Sequence, residues 1–349
     1  MRFKYILTWI FLLFLSMQLI FFFVLKKEKI DSILKREKIT LRNLGHLEDK
    51  NVYQHLDAYV SDHFPFKNQF IAQSNWLFKG VFHEANANNQ VLWGENDWLF
   101  YNATINDENG MNEAFGYKAL TNRELKKIIR NIHTIKNWCH RNHIYFELLI
   151  CPNKHSIYPE NLPYSYQNQQ QKSQLNQLVS HDTSIINLIK TLRDSKKSNK
   201  ELYYRWDTHW NQFGAYLAVK EMTHRLQKKY PYIEPFEAKM IRVTKYGKMD
   251  LANMIGLNGY FQRSDVHLSF TKIPTQRIPN LMIVHDSFIH SMMPSLEKIF
   301  NKITSKTYST DGLLSPEILL KENVDVYIIE LVERYKGVLL GDIHPDFYK

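Results

Sequence analysis

The sequence predicts an α/β domain with a mainly parallel sheet and helices on both faces, preceded by one N-terminal transmembrane helix. Segments of helical period alternate with short apolar runs, the order that builds parallel strands joined by crossover helices. Three such runs, "IYFELLIC" (144–151), "LMIVH" (281–285) and "VDVYIIE" (324–330), are nearly unbroken, as in strands covered on both faces rather than one. Near the start, "ILTWIFLLFLSMQLIFFFVL" (6–25) carries no charge over the length a helix needs to cross a bilayer.

In chain order, the first apolar stretch follows Arg2 and Lys4 and is not followed by a small-x-small cleavage pattern. Residues 1–25 are therefore read as a retained signal anchor rather than a cleaved signal peptide. "KKEKIDSILKREK" (26–38) opens a basic juxtamembrane connector, 26–50, suited to anionic headgroups. Counting Lys and Arg alone, this flank is more basic than the one before the helix, so a strict positive-inside reading leaves the remaining domain, 51–349, in the cytoplasm. Between His55 and Phe82 apolar residues recur at helical spacing, and Pro65 divides the segment into two helices. "VLWGENDWLFY" (91–101) reads as a short hairpin with a polar turn. Thr121 and Glu124 have capping-box spacing at the head of a helix whose apolar face is Leu125, Ile128, Ile129, Ile132, Ile135 and Trp138.

The first buried strand follows that helix and ends in the loop "PNKHSIYPENLP". The Gln-rich run "QNQQQKSQLNQL" (167–178) reads as a surface loop entering a helix. Asn211 is placed to cap a helix through Phe213, Leu217, Met222 and Leu226. The strand at 281–285 turns at His285 to Ser287, and Ser315, with Pro316 at the first helical position, starts a helix before the last strand.

Apolar residues make up 44% and charged ones 23%, so most of the chain is expected to fold around a core rather than stay disordered. Twenty Tyr and 21 Phe suit a carbohydrate-facing protein, but a large core is the favoured reading. The net charge of +10 admits nucleic acid, anionic lipid or acidic polymers as partners. Much of the excess lies in 26–38, however, and no helix-turn-helix, zinc-finger or RNP pattern accompanies it, so no nucleic acid partner is expected. Cys139 and Cys151 lie in apolar segments and imply no disulfide framework.

Chemistry concentrates in "YYRWDTHWNQFGAY" (203–216) and "HDSF" (285–288). In a parallel sheet, ligands bind beyond the carboxyl ends of the strands, which is where "CPNK", "HDSF" and "VER" fall. A serine hydroxyl needs a base to take its proton, and that base needs a carboxylate to fix its tautomer. Ser287, His209 and Asp207 are the candidates for these three roles. Two other readings remain open at this level. In one, Asp207 caps the following helix and His209 is satisfied in a loop. In the other, Asp207, His209, His285, Asp286 and His290 supply a metal site, although none shows a recognised ligand spacing. Neither a metal nor a cofactor is expected.

"DTHWNQFGA" followed by "HDSF" resembles the SGNH-hydrolase-like family of bacterial exopolysaccharide O-acetylation proteins, typified by the alginate acetylation proteins. "DHFPFK", "VLWGENDWLFY", "PNKHSIYPENLP", "KMDLANMIG" and "VDVYIIELVERY" resemble family segments in the same order, so the likeness runs from about Leu56 to Tyr335. The resemblance implies a three-layer α/β/α catalytic domain over 51–349 and a serine-dependent O-acetyltransferase acting on a cell-surface polysaccharide. It implies Asp207 as acid, His209 as base and Ser287 as nucleophile. A deacetylase or esterase with the same three residues, or a non-catalytic glycan-binding assembly component, is the alternative. Lys154, Trp210, Arg334 and Tyr335 are expected to bind substrate, with Trp98 and Trp206 as further stacking surfaces; each is equally read as packing. The family also implies a multi-pass membrane O-acyltransferase as acetyl supplier and a catalytic domain outside the cell membrane, because long domains translocate largely regardless of flanking charge. One position departs from the family pattern: His285 stands where glycine usually precedes the Asp-Ser pair, which puts the close backbone approach of an oxyanion site in question.

Overall fold

The computed structural model describes residues 2–27, 30–31, 36–40, 52–77, 86–88, 90–102, 104–105, 108–109, 119–167, 173–182, 184–198, 201–243, 249–257, 261 and 265–349, apart from the side chains of 2–4, 30–31, 36, 86–88, 104–105, 108–109 and 335–336. Most of the basic connector and the centre of the Gln-rich run lie outside the described residues. The chain forms two compact units, Met1–Ala87 with Ala252–Tyr260, and Asn88–Leu251 with Phe261–Lys349.

The smaller unit holds α1 (Arg2–Val24), α2 (Val52–His63) and α3 (Lys67–Leu77). Tyr5–Val24 has a mean hydropathy of 2.4 and is not buried, so it is long and apolar enough to cross a membrane. Pro65 separates α2 from α3, as its missing N–H and fixed φ require.

The larger unit opens with the predicted hairpin, β1 (Val91–Trp93) against β2 (Leu99–Tyr101), with Leu92 opposite Phe100. A β-carbon on Gly94 would stand 2.0 Å from the Asn161 carbonyl oxygen, so only glycine fits there. Helix α4 (Asn122–Arg141) begins with the capping box formed by Thr121 and Glu124. It buries Leu125, Ile128, Ile132, Ile135 and Trp138, and its buried Asn131 donates to the carbonyls of Leu339 and Gly341. Strand β3 (Tyr145–Cys151) follows, then α5 (Gln174–His181), capped by Ser173 at the end of the Gln-rich run. Helix α6 (Gln212–Leu226) is capped by Asn211, whose side chain accepts from the N–H groups of Phe213 and Gly214. An antiparallel ribbon of β4 (Glu237–Val243) and β5 (Asp265–Lys272) precedes β6 (Ile278–His285), α7 (Ile289–Ile299), β7 (Phe300–Thr307), α8 (Pro316–Lys321) and β8 (Val326–Val332).

The central sheet runs β7-β6-β8-β3 and is parallel throughout, with Ile283 opposite Ile328 and Ile329 opposite Leu148. Successive strand residues point to opposite faces; every residue of β8, and all but the first of β3, is buried, so both faces are covered as predicted. Strand β7 was not expected. Its sequence, FNKITSKT, is polar because it is the sheet's outer strand and leaves much of its surface in water. The β4/β5 ribbon escaped prediction for the same reason: its side chains are largely half-exposed, so no apolar run marks it.

Candidate active site

Three strand ends meet at one point of the sheet, and buried acids tie them together. Asp286, directly after β6, accepts the Phe288 N–H at 2.8 Å with one oxygen and the Val332 N–H at 2.7 Å with the other. Its own N–H donates to Glu330 Oε2 at 3.2 Å, and Glu330 Oε1 accepts from the Cys151 thiol at 3.0 Å. β6, β8 and β3 are thereby linked through side chains at the site. Burial pushes the carboxyls of Asp286 and Glu330 upward, that of Glu330 further because Asp286 lies beside it. Glu333 extends the network, accepting from the Asn153 N–H and the Ser156 hydroxyl. With Asp286 pinned on both sides, the turn holds Ser287 exposed between two buried neighbours.

The loop 203–210 approaches from the other side. Tyr203 bridges to Trp210 as an antiparallel pair, and Tyr204 N–H donates to the His209 carbonyl. The Trp210 indole N–H donates to the Phe288 carbonyl at 3.0 Å, and the Ser291 hydroxyl donates to the Trp210 carbonyl at 3.2 Å, which fastens this loop to the serine turn. His209 Nε2 lies 2.7 Å from Ser287 Oγ, and His209 Nδ1 lies 2.6 Å from Asp207 Oδ1. Burial alone would raise the Asp207 carboxyl, but hydrogen bonds from His209 and from the Asp250 N–H outweigh it and hold that carboxyl at about 2. An ionised carboxylate only accepts, so the proton sits on Nδ1 and the Nε2 lone pair faces the serine hydroxyl. The expected Asp, His and Ser side chains thus form one hydrogen-bonded chain. Asp207 does not cap α6, since Asn211 does.

The residues expected at substrate have other surroundings. Lys154 is 2% exposed and donates to the carbonyls of Tyr204, Arg205 and Asp207 at 3.1, 3.1 and 2.7 Å. These three hydrogen bonds tie the ammonium group to the loop that carries Asp207. Trp210 is fully buried against Tyr203 and Phe288 and offers no stacking surface. Trp98 is likewise buried, stacked on Tyr158. Arg334 donates to Asn153 Oδ1 at 3.0 Å and lies over the rings of Tyr101 and Phe288. Trp206 is half-buried, stacked on Phe261 at 4.4 Å. The Tyr335 side chain lies outside the described residues.

His285 takes the place of the missing glycine without backbone strain. It is an ordinary last strand residue, outside the left-handed region, and its ring Nδ1–H donates to the Asp286 carbonyl at 2.8 Å. The backbone conformation of the turn demands no glycine here. Of the residues considered for a metal site, Asp207 and His209 lie together with Asp250 instead, and their facing atoms are already engaged in hydrogen bonds. Sequence reasoning missed Asp250, Thr208, Glu330 and Glu333; only "KMDLANMIG" hinted at the first.

A family profile described as "SGNH hydrolase-like domain, acetyltransferase AlgX" matches residues 91–277, more than half of the chain. The chain belongs to this family. The matched range contains Asp207 and His209 and ends ten residues before Ser287. Within the SGNH-hydrolase-like family, the probable alginate O-acetylase AlgJ of Pseudomonas fluorescens is 22% identical over 277 residues, which cover 74% of this chain and 58% of that relative. The chain therefore spans little more than half the length of this curated relative. The O-acetyltransferase domain of Pseudomonas putida AlgJ has a similar fold, with a TM-score of 0.50 at 17% identity, covering 75% of this chain and 96% of that domain.

Proposed function

We propose that this protein is a serine-dependent O-acetyltransferase that moves an acetyl group onto hydroxyls of a cell-surface polysaccharide. The hydrogen-bonded chain from Asp207 through His209 to Ser287, at the carboxyl end of a parallel sheet, is the observation that carries this reading. Membership of a family named for an acetyltransferase supports it, and a relative named as a probable alginate O-acetylase supports a polysaccharide acceptor.

In this mechanism Ser287 Oγ attacks the carbonyl carbon of an acetyl donor while His209 Nε2 takes the hydroxyl proton. The charge that develops on the carbonyl oxygen is met by the Ser287 backbone N–H, since those of Asp286 and Phe288 are engaged within the turn, and Asp207 stabilises the imidazolium. The tetrahedral centre collapses, the donor's leaving oxygen takes the proton from Nε2, and acetyl-Ser287 remains. A sugar hydroxyl then attacks the ester, giving its proton to Nε2, and Ser287 Oγ recovers that proton as it leaves. Residues 1–25 serve as a single-pass anchor, 26–50 as a connector and 51–349 as the catalytic domain on the extracytoplasmic side. A multi-pass membrane O-acyltransferase supplies the acetyl group.

The test is mass spectrometry of the full-length chain in detergent after exposure to an activated acetyl ester, then to a polysaccharide acceptor. One acetyl group should appear on Ser287 and pass to the glycan, and Ser287→Ala should do neither. Acetate released at a rate indifferent to the glycan would replace transfer by hydrolysis. Glycan acetylated equally by Ser287→Ala would end the proposal.

A further inference from the structure

Two carboxylates, not one, stand beside the imidazole of His209. Asp250 opens the short helix Asp250–Met254, and its Oδ2 lies 3.7 Å from His209 Nδ1, the nitrogen that also faces Asp207. Both of its oxygens are held: Oδ1 accepts the Thr208 N–H at 2.7 Å, and Oδ2 accepts the Thr208 hydroxyl at 2.7 Å. Its own N–H donates to Asp207 Oδ2 at 2.9 Å, the oxygen that the imidazole does not use. Residues 207 to 209 and 250 therefore form a closed set of hydrogen bonds around one ring nitrogen, with Thr208 Oγ1 3.2 Å from it.

The relay as written needs only Asp207 to accept the hydrogen bond from Nδ1–H. A second carboxyl at this position is unfavourable in itself, because burial and the charge of Asp207 both push the Asp250 carboxyl upward. Among the described residues, the charged groups that act on the imidazole are Asp207 from its own loop, Asp250 from the helix that follows, and Asp286 from the end of β6; the Phe288 ring covers another side at 4.9 Å. Asp250 differs from Asp286 in reaching the same nitrogen as Asp207. A sugar hydroxyl gives up its proton reluctantly, so transfer to it gains from a base whose protonated form is favoured by more than one negative charge.

We propose that Asp250 is a positioning residue of the relay, fixing the second oxygen of Asp207 and the Thr208 turn while its charge strengthens His209 as a base. The proposal rests on the acyl-transfer reading of Ser287, but its test does not depend on the acceptor. A fluorophosphonate reports serine activation alone: a phosphorus–oxygen bond forms at Ser287, fluoride leaves, and the serine proton passes to His209. Its rate of attachment to the full-length chain in detergent is followed by mass spectrometry across the acid and neutral pH range.

In Asp250→Asn the plateau rate should fall about tenfold, and the acid limb of the profile should move down by about one pH unit, because the imidazolium loses a stabilising charge. A residue that only holds the fold would slow the rate without moving that limb. Should Asp250→Asn fail to fold, Thr208→Val should slow labelling and Thr208→Ser should recover what the valine loses. A wild-type profile in Asp250→Asn, a slower rate with an unmoved limb, or wild-type labelling in Thr208→Val each overturns the proposal. Failure of the wild-type chain to label at Ser287 overturns it together with the acyl-transfer reading. Labelling without any acetylation of glycan removes only the transferase reading.

Discussion

His155 shows how burial of a single side chain makes the fold sensitive to acid. It lies within the short helix Lys154–Ile157 after β3, 3% exposed against the Phe100 ring, and burial, together with the charges of Lys154 and Arg334, pushes its imidazole down to about 3 from the usual 6.5. The unfolded chain binds a proton below 6.5 that the folded chain refuses, so the stabilising contribution is complete above that value. It is lost as pH falls toward 3. The effect has the opposite origin from that of Asp207, whose ionised form is favoured by its partners, but it acts in the same direction on acidification. Denaturant midpoints for the larger unit of the full chain should drop between neutral and mildly acid pH, and His155→Gln should show a shallower drop. An unchanged slope in that variant would mean that other groups govern the acid limit.

At the scale of elements, the site depends on two segments meeting that are 78 residues apart, the 203–210 loop and the turn after β6. Lys154 holds the first in shape. Its three hydrogen bonds go to the carbonyls of Tyr204, Arg205 and Asp207, the Arg205 carbonyl also accepting the Leu99 N–H, and the side chain lies over the faces of Trp98 and Phe100. Lys154→Met keeps the aliphatic stem and removes three charge-assisted hydrogen bonds to the loop. It should cost about 3 kcal/mol or more of stability. It should also slow acetylation of Ser287, since Asp207 sits on the loop that loses its support. Thermal unfolding and the rate of Ser287 acetylation check the two effects together; wild-type values for both would mean that Lys154 does not support the loop.

For the whole molecule, topology is the open question that sequence poses in contradictory terms. Arg2 and Lys4 precede an uncharged span and a more basic segment follows it, whereas acetylation of a surface polysaccharide needs the catalytic domain outside the cell. Flanking charge orients short loops, while long domains are translocated largely regardless of it. A C-terminal alkaline phosphatase fusion should therefore be active, and a reporter that works only in the cytoplasm should be silent when fused there. The reverse pattern would place the serine on the wrong side for a surface glycan.

Much of this molecule was legible before folding because local patterns report local physics. The capping box at Thr121 and Glu124, the break at Pro65, the cap at Asn211 and the runs of β3, β6 and β8 each follow from short-range sterics or from burial on both faces. Strand β7 and the β4/β5 ribbon left no such mark, since a strand half in water needs no apolar run. The Asp-x-His motif and the Ser after a strand named three candidate groups but not their distance apart. Only the tertiary structure decided that they meet, that Lys154 and Trp210 hydrogen-bond to the loop and the serine turn, and that Asp250 joins Asp207 beside one ring nitrogen. Those outcomes depend on which distant segments share a sheet edge, and that is set by packing of the whole core rather than by any stretch of neighbouring residues.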